Sequence, residues 1–399
     1  MKKKIMLIVP MLHQGGFERI CALTAKLLNS RHEVFLVIFS AEDMIYDVSG
    51  IRLIDLKLGA VDGKIGKVKN LLKRIRRLKK LKRELSIDIS YSFGVTANIA
   101  NVLSKCQEHV WAGIRGYGVL QEKRKMQLIC KRADKVVSCT KVMEEDINRI
   151  FGTKSSAVLY NPCNVSEIKK LKESEEFDEA SPEKAMRIQE FLDRPGKLIV
   201  SMGREDDLKG FWHLIKSLYL LKKQMPDTKL MIIGEGEYTQ YRKLAEELDM
   251  KRDVLFTGVM KNPFSLLAKA DVYALTSESE GFPNALIEAM ACGVPCVSVN
   301  CKTGPAEILK DDYKECADQT RVYLGDYGLI TPIFTGEKNL NAKEFTKEEE
   351  MFAKELERML TDTELSAGYK EKALKRAEEF SLEAYTKNIE RLIITGAES

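Results

Sequence analysis

The chain has 399 residues, of which 44% are hydrophobic and 31% are charged, and its formal net charge at pH 7 is +5. This composition is ordinary for a globular protein of two or three domains, and the charge is too small for a polycation of the nucleic-acid-binding type. No segment reaches the ~18–20 apolar residues of a membrane span. The nine cysteines include no Cys-x-x-Cys pair, which predicts reduced thiols in a cytoplasmic protein.

Short apolar runs separated by helical stretches fill the first half of the chain. These runs are too short and too continuous for half-exposed antiparallel strands. They are typical of a parallel sheet that is covered by helices on both faces. The predicted strands are Lys4–Val9, Glu33–Phe39, Ile51–Leu56, Ile87–Ser92, Val110–Ile114, Lys135–Cys139 and Ala157–Tyr160.

A strongly basic segment, residues 64–83, lies between two of these strands. It has eleven basic residues and no acidic one, and its apolar residues recur at helical spacing, which predicts a cationic amphipathic helix. The apolar side could pack on the sheet and leave the charges merely solvated. Alternatively, the helix could bind an anionic membrane surface, whereas the lack of interleaved aromatic residues disfavours nucleic acid. The side chains expected to face the membrane are Lys73, Arg74, Arg76, Arg77 and Lys80.

The alternation stops after the seventh predicted strand and then begins again. Residues 164–195 are charged with weak periodicity, and we interpret them as a hinge with a helical linker. The later predicted strands are Leu198–Met202, Leu230–Gly234, Val254–Gly258, Val272–Thr276 and Pro295–Val299. We therefore predict an α/β protein of two doubly wound, Rossmann-like parallel-sheet domains, at 1–163 and 196–380, facing across a cleft. A final helix at about 381–399 would cross back onto the first domain.

The segment Ser279–Glu288 offers two carboxylates on either side of a loop-to-helix junction. Pro283 suits a first helical position and Gly293 a helix end, so Glu280 precedes the helix and Glu288 lies on it. A helix N-terminus can hold an anion, and fixed carboxylates can accept hydrogen bonds from hydroxyl groups. A nucleotide sugar offers both a diphosphate and ring hydroxyls, and this segment is therefore a candidate site for one.

Further candidate ligands follow the predicted strands of the second half. Arg204 and Lys209 come after the first of these strands, where two cations can neutralise a diphosphate. Gly234 and Gly258 end the next two strands and permit tight turns, and Met260 could help to clamp a nucleobase. Each of these features could also be an ordinary turn.

Taken together, the motifs resemble the retaining family-4, or group 1, glycosyltransferases of bacterial surface-polysaccharide synthesis. The resemblance rests on Met202–Lys209, Gly234–Gly236, Ser279–Ala289 and Gly293–Glu307, in that order, and covers about a quarter of the chain. It implies the two-Rossmann glycosyltransferase fold, GT-B. It also implies a metal-independent transfer of a hexose or N-acetylhexosamine from a nucleotide sugar, with UDP favoured, to a saccharide or lipid-linked acceptor.

The resemblance implies a role for each matching residue. Glu280 would contact the hydroxyls of the donor sugar, and Glu288 would hold those of the ribose. Arg204 and Lys209 would bind the diphosphate and stabilise its charge as the glycosidic bond breaks, and Gly16 would let the backbone of the first domain approach the phosphate. Gly281, Phe282 and Pro283 would supply main-chain N–H groups. The other donor-binding residues would be Gly203, Gly234, Gly258, Met260 and Asn284.

The first domain departs from the family pattern at one position. Many relatives carry a histidine beside the donor sugar where this chain has Arg115, which cannot act as a base but could bind a phosphate or an acceptor group. His13 is a second candidate for the sugar pocket, and both residues could be ordinary loop residues. No Asp-x-Asp motif occurs, which agrees with the metal-independent reaction that the resemblance implies, and no cofactor is expected. The departing phosphate would accept the proton of the acceptor, with retention of configuration.

Two other classes of function remain open. Tyr219-x3-Lys223 has the spacing of the pair in nucleotide-sugar epimerases, but an epimerase or dehydrogenase also needs a dinucleotide loop, and Gly15-Gly16 is not Gly-x-Gly-x-x-Gly. A non-catalytic membrane adaptor would use the basic helix alone. The expected location is cytoplasmic, peripheral on the cytoplasmic face of the membrane.

Overall fold

The computed structural model describes residues 2–13, 15–153, 155–174 and 181–395. The chain divides into two compact units: the first comprises Met1–Pro162 and Leu382–Ser399, and the second comprises Cys163–Ser381. The predicted hinge and linker, 164–195, therefore falls in the second unit rather than between two units. Residues 175–180 of that linker lie outside the described residues.

In the described part of the first unit, seven parallel strands pair in the order β3-β2-β1-β4-β5-β6-β7. The strands are β1 (Lys4–Val9), β2 (Glu33–Ile38), β3 (Arg52–Asp55), β4 (Ile89–Phe93), β5 (His109–Ile114), β6 (Lys135–Ser138) and β7 (Ser156–Val158). The helices are α1 (Gly16–Asn29), α2 (Lys64–Glu84), α3 (Val95–Leu103), α4 (Lys123–Arg132) and α5 (Lys141–Phe151).

Helices cover both faces of this sheet and bury its apolar side chains. On one face, Ile20 and Leu28 of α1 pack against the central strands. On the other face, Leu78 of α2 and Ala97 and Ala100 of α3 fill the core. The central strands are buried on both sides, which explains why they appear in the sequence as continuous apolar runs.

The described residues of the second unit form a sheet with the order β10-β9-β8-β11-β12-β14-β13, in which only the β13–β14 pair is antiparallel. Its strands are β8 (Leu198–Met202), β9 (Lys229–Ile233), β10 (Val254–Gly258), β11 (Val272–Leu275), β12 (Cys296–Val299), β13 (Tyr323–Leu324) and β14 (Leu329–Thr331). Its helices are α6 (Val165–Leu171), α7 (Pro182–Asp193), α8 (Phe211–Lys222), α9 (Thr239–Glu247), α10 (Phe264–Leu267), α11 (Asn284–Cys292), α12 (Pro305–Leu309), α13 (Lys347–Thr361) and α14 (Thr363–Glu378).

Each of the twelve predicted strands is present, within two residues of its predicted ends, and the predicted α/β class with two parallel-sheet units is confirmed. Two short strands, the edge strand β13 and its neighbour β14, were not predicted. Helix α11 begins one residue later than expected, because Pro283 has the extended backbone of an N-cap residue, with φ −71° and ψ 93°.

The C-terminal helix α15 (Leu382–Thr395) belongs to the first unit. Its Tyr385 and Ile389 join the apolar core beside α1, and the hydroxyl groups of Tyr385 and Thr24 lie 2.7 Å apart. Glu390 of the same helix lies 3.1 Å from Nε2 of His32. The predicted return of the chain at about 381–399 corresponds to this helix, although residues 396–399 fall outside the described range.

None of the nine cysteines, all of which lie in the described ranges, is in a disulfide, and seven of them are buried. Across the described ranges, no helix combines the length and the apolar character that crossing a membrane requires.

Candidate functional site

The turn after β8 lies at the carboxyl edge of the second sheet and carries the first candidate residues. The Gly203 carbonyl accepts a hydrogen bond from the Tyr238 hydroxyl at 2.9 Å. A side chain at Gly234 would place its Cβ 1.9 Å from that carbonyl, so the turns after β8 and β9 can touch only because residue 234 is glycine. Arg204 follows on this turn, and its guanidinium is exposed, with Nη2 3.1 Å from Asp206 Oδ2.

Lys209 reaches the same edge through a tightly constrained turn. Thr276 donates a hydrogen bond from Oγ1 to the Lys209 carbonyl at 2.9 Å. The next residue, Gly210, has φ +61° and is the N-cap of α8, and a Cβ there would lie 2.3 Å from the Thr276 carbonyl oxygen. These contacts fix the backbone at Lys209 and Gly210, and with it the position from which the Lys209 side chain extends.

The Lys209 ammonium meets the carboxylate of Glu280. Lys209 Nζ donates to Glu280 Oε1 at 2.6 Å, and both side chains are mostly buried, with 26% and 12% of their surface exposed. Glu280 Oε2 has no hydrogen-bond partner among the residues that the structure describes. Of the candidates separated in sequence, these two are brought into direct contact.

The loop after β12 holds the backbone of Glu280 in place. Thr303 donates from Oγ1 to the Glu280 carbonyl. Gly304 has φ +99°, and a Cβ on it would lie 2.3 Å from Cδ of Pro283. The loop therefore packs directly against the start of α11, and its closest approach requires glycine.

Helix α11 presents its N-terminus beside Glu280. Glu288 lies on this helix and is 6% exposed, so it is a buried carboxylate rather than a solvated one. Phe282 is also buried and packs edge-on against Phe380, with ring centroids 5.3 Å apart. Pro283 has no N–H group, so the expectation that it supplies one is wrong; Gly281, Phe282 and Asn284 keep theirs.

The turn after β10 carries Gly258 and Met260. Gly258 has φ +73° and open space where a Cβ would stand. Met260 is buried, whereas the neighbouring Val259 is 53% exposed. The Val259 carbonyl accepts a hydrogen bond from Lys184 Nζ at 2.7 Å, which ties this turn to α7.

Two acidic side chains near this edge have shifted pKa values. A hydrogen bond from Lys338 lowers the pKa of Asp207, whose side chain is 65% exposed. Burial raises the pKa of Glu278, which lies in the loop that leads to Glu280. This loop therefore holds Glu278, whose ionised form is disfavoured, two residues before Glu280, which is paired with Lys209.

In the first unit, Gly15 and Gly16 start α1 at the carboxyl end of β1. Tyr46 fixes this loop: its hydroxyl donates to the Gly15 carbonyl at 2.9 Å and accepts from the Gly15 N–H at 3.3 Å. Gly16 is exposed, and a Cβ there would meet nothing within 4 Å. His13 is half-buried on the same loop.

Arg115 follows β5 and is held by neutral groups. Nη1 donates to the Leu159 carbonyl at 3.0 Å and to Asn161 Oδ1 at 3.1 Å, and Nη2 donates to the Tyr91 hydroxyl. The guanidinium also lies over the ring of Phe93, 5.4 Å from its centroid. Arg115 therefore links the end of β5 to Tyr91 of β4 and to Leu159, just after β7. A role in binding a phosphate or an acceptor group stays a prediction.

The basic helix α2 is oriented differently from the sequence expectation. Arg74 was expected to face a membrane, but it is buried: it donates to the carbonyls of Leu58 and Gly59 and stacks 4.3 Å from the centroid of Phe39. Arg77 also donates a hydrogen bond, to the carbonyl of Leu56. Conversely, three apolar residues of the helix are exposed. They are Ile65, Val68 and Leu72, at 75%, 59% and 46%.

Two further expectations concern residues outside this edge. Tyr219 and Lys223, the pair with epimerase spacing, pack against Phe345: the two aromatic rings stack 5.4 Å apart, and the ammonium lies 5.2 Å from the Tyr219 ring centroid. Over the described ranges, no group of three or more His, Cys, Asp and Glu side chains is arranged to hold a metal ion.

Sequence reasoning missed the residues that shape the site without forming part of its charged surface. Thr276 and Thr303 hold the carbonyls of Lys209 and Glu280, and Tyr238 holds that of Gly203. The only signal was position, because both threonines lie just past the end of a strand beside the motif residues. Which carbonyl each hydroxyl reaches depends on tertiary packing.

Comparison with known proteins identifies this edge of the second unit. Residues 183–322, which include the turn after β8 and helix α11, match the family model described as Glycosyl transferases group 1. An uncharacterized glycosyltransferase of Methanocaldococcus jannaschii is 32% identical over 200 residues, and this match spans about half of each chain (49% of both).

Two other proteins match over nearly the full length. The Campylobacter jejuni N-acetylgalactosamine-N,N'-diacetylbacillosaminyl-diphospho-undecaprenol 4-alpha-N-acetylgalactosaminyltransferase is 28% identical over 395 residues, which cover 95% of this chain and 96% of the relative. The crystal structure of Anabaena HepE in complex with UDP has a TM-score of 0.72 at 16% identity and covers 98% of this chain and 100% of HepE. Residues 183–322 are therefore similar to the group 1 glycosyl transferases, and the chain as a whole has the GT-B fold.

Proposed function

We propose that this enzyme moves a hexose or N-acetylhexosamine from a UDP-sugar to a saccharide or lipid-linked acceptor in cell-surface polysaccharide synthesis. We further propose that it retains the anomeric configuration and needs neither a metal nor a cofactor. The relatives support the substrate class: the Campylobacter protein is named as a transferase acting on a diphospho-undecaprenol saccharide, and the HepE crystal holds UDP.

The observation that carries the proposal is the 2.6 Å contact between Lys209 and Glu280, set between the turn after β8 and the N-terminus of α11. Lys209 and the exposed Arg204 supply two positive charges. The N–H groups at the start of α11 add partial positive charge from a second direction. Together, these groups suit a diphosphate, because phosphate oxygens accept both charge-assisted and main-chain hydrogen bonds.

The two glutamates suit the two sugars of a nucleotide sugar. Glu280 keeps Oε2 available for a hydroxyl of the donor sugar while Oε1 holds Lys209. Glu288 is buried on α11, where a carboxylate can accept hydrogen bonds from a pair of ribose hydroxyls. In this arrangement Lys209 would lie between the diphosphate and the transferred sugar.

The chemistry follows from the placement of charge. Cleavage of the bond between C1 and the phosphate oxygen leaves an oxocarbenium-like centre and a diphosphate. Lys209, Arg204 and the N–H groups stabilise the negative charge as it develops. A phosphate oxygen of the departing diphosphate accepts the proton of the attacking hydroxyl on the same face, and retention follows. In this scheme no protein base is required, and the neutral partners of Arg115 give that residue a structural role.

We propose that the first unit binds the acceptor and that α2 docks on the cytoplasmic face of a membrane. The exposed residues Ile65, Val68 and Leu72 form an apolar stripe along the helix. Exposed lysines and arginines flank it, including Lys73, Arg76 and Lys80. Each basic residue near an anionic surface contributes about 1 kcal/mol, and the stripe adds apolar burial.

The test is a transfer assay with a panel of UDP-sugars and a lipid-linked diphosphate acceptor, with chelator present. We expect one UDP-sugar to be used, and NMR should show the same anomeric configuration in donor and product. Lys209→Ala should lower kcat about 10²–10³-fold, the range for loss of one preorganised donor. An inverted product, or full activity of the Lys209→Ala enzyme, would contradict the proposal.

A further inference from the structure

A cavity in the first unit lies at the amino end of its own sheet, opposite the carboxyl edge that carries Gly16 and Arg115. Its volume is about 790 Å³, and it opens where β1, β4 and β5 begin and where α2 ends. Because β4 has five residues and a strand rises ~3.3 Å per residue, roughly 16 Å of sheet separate this cavity from the carboxyl edge. We call it the basal cavity.

The lining of the basal cavity is strongly positive. It includes five cations and two carboxylates, which leaves a net charge of +3. These charged residues are Lys3, Lys79, Lys82, Arg83, Lys105, Asp88 and Glu108.

Both carboxylates are already committed to other partners. Glu108 Oε1 lies 2.8 Å from Lys82 Nζ in a pair that is almost completely buried, and its Oε2 accepts the Cys106 N–H at 3.0 Å. Asp88 Oδ2 accepts the Lys4 N–H at 2.7 Å. Lys82 is therefore paired with Glu108 and Lys105 with Asp134, whereas Asp88 keeps its charge and forms no ion pair within the described ranges.

Three of the cations have no such partner. Within the described part of the chain, the side chains of Lys3, Lys79 and Arg83 have no ion pair and no hydrogen bond. Lys3 immediately precedes β1, and Lys79 and Arg83 lie in the last two turns of α2. Like charges held around one cavity repel each other, and an anion bound there would remove that repulsion.

A buried hydrogen-bond network holds the wall of the basal cavity in place. Lys82 Nζ also donates to the Asn101 side chain at 2.7 Å, and Ser90 Oγ donates to the same oxygen at 2.8 Å. This buried network fixes the end of α2 against α3 and β4. Arg83 and Lys79 therefore project from a rigid support, and a rigid support lowers the entropic cost of binding.

We propose that the basal cavity is a second anion site, separate from the donor site, that binds a phosphate-bearing group. Three unpaired cations and the fork of Arg83 suit a multiply charged phosphate better than a single carboxylate. The phosphate could belong to a soluble polyphosphate or to a lipid headgroup, and both share this chemistry. Binding would tie together the start of β1 and the end of α2.

The experiment compares three forms of the full chain by calorimetric titration with inorganic triphosphate. Lys79→Ala/Arg83→Ala removes the cavity charges, and Lys123→Ala/Arg124→Ala removes the same two residue types from exposed positions on α4. Any triphosphate bound by the second unit is common to all three proteins. We expect the cavity variant to lose binding by about tenfold or more and the α4 variant to match the unchanged protein.

A second arm measures sedimentation with vesicles of phosphatidic acid in phosphatidylcholine. In this arm, Lys73→Ala/Arg76→Ala removes two exposed charges elsewhere on α2 and controls for membrane docking through the helix itself. A larger loss of vesicle binding in the cavity variant than in this control, with triphosphate binding unchanged, would assign the site to a lipid headgroup. Loss of triphosphate binding in the cavity variant alone would assign it to a soluble anion. If neither ligand distinguishes the cavity variant from the α4 variant, the cations serve only to stabilise the C-terminal end of α2, and the proposal is overturned.

Discussion

Gly304→Ala should lower the free energy of unfolding by an amount that can be worked out from the structure. The backbone at Gly304 has φ +99°, which costs a residue with a side chain about 1–3 kcal/mol. The added Cβ would also lie 2.3 Å from Pro283 Cδ, well inside van der Waals contact, and overpacking of this kind costs about 1–3 kcal/mol more. The two effects together predict a loss of about 2–6 kcal/mol in the free energy of unfolding.

The second unit contains a matched control. Gly336 has φ +102°, and a Cβ there would meet nothing within 4 Å. Gly336→Ala therefore carries the backbone strain without the clash, and it should lose only about 1–3 kcal/mol. Urea unfolding of both variants, extrapolated to water, isolates the contribution of the contact with Pro283.

The clash should also affect transfer. A shift at Gly304 moves Thr303, which holds the Glu280 carbonyl, and displacement of a site group by about 1 Å can cost ~10²-fold in rate. We expect kcat/KM to fall by up to this factor in Gly304→Ala and to stay unchanged in Gly336→Ala. Equal stability and equal activity of the two variants would refute the inferred packing of the loop after β12 against α11.

Two further predictions concern the charged loop and the basic helix. Burial raises the pKa of Glu278, so the folded state favours the protonated carboxyl group. The contribution of this group to the free energy of unfolding is therefore fully present below its pKa in the unfolded chain, and it is lost as the pH rises through its pKa in the folded protein. Glu278→Gln should therefore raise Tm at pH 7 and leave it unchanged near pH 3, and a pH-independent change would contradict this. Ile65→Glu/Leu72→Glu should weaken binding to anionic vesicles, whereas Ile150→Glu, an exposed apolar position on α5, should not; equal loss in both would count against docking through α2.

The parallel strands could be predicted from sequence because burial on both faces makes them continuous apolar runs. Strands β13 and β14 escaped prediction because they are only two and three residues long, although β14 is buried. Tyr323–Leu324 has only two residues, one half-buried and one exposed, and it pairs antiparallel at the edge of the sheet. So short a segment carries no periodicity that could distinguish it from a loop.

The candidate site was predictable in its residues but not in its contacts. Strand ends and a helix start place Lys209 and Glu280 at one edge of the sheet, and the sequence can show that much. Their 2.6 Å contact depends on Thr276, Thr303 and the close approach at Gly304, which are properties of the folded loops.

Hydrophobic periodicity did not predict correctly which residues of helix α2 are buried. Its apolar spacing predicts one buried face, but the first turns extend beyond the core and leave Ile65 and Leu72 exposed. Arg74 is buried instead, because two carbonyls of the preceding segment accept its N–H groups and Phe39 covers its plane. A guanidinium satisfied in this way can occupy a position that the sequence pattern assigns to the surface.

Amide hydrogen exchange with and without UDP is the sharpest test of the proposed donor site, because this site would bind the diphosphate through main-chain groups as well as through Lys209. We expect added protection in two segments of the second unit, residues 203–211 and 281–288, and loss of that protection in Lys209→Ala. Protection elsewhere, with these two segments unchanged, would contradict it.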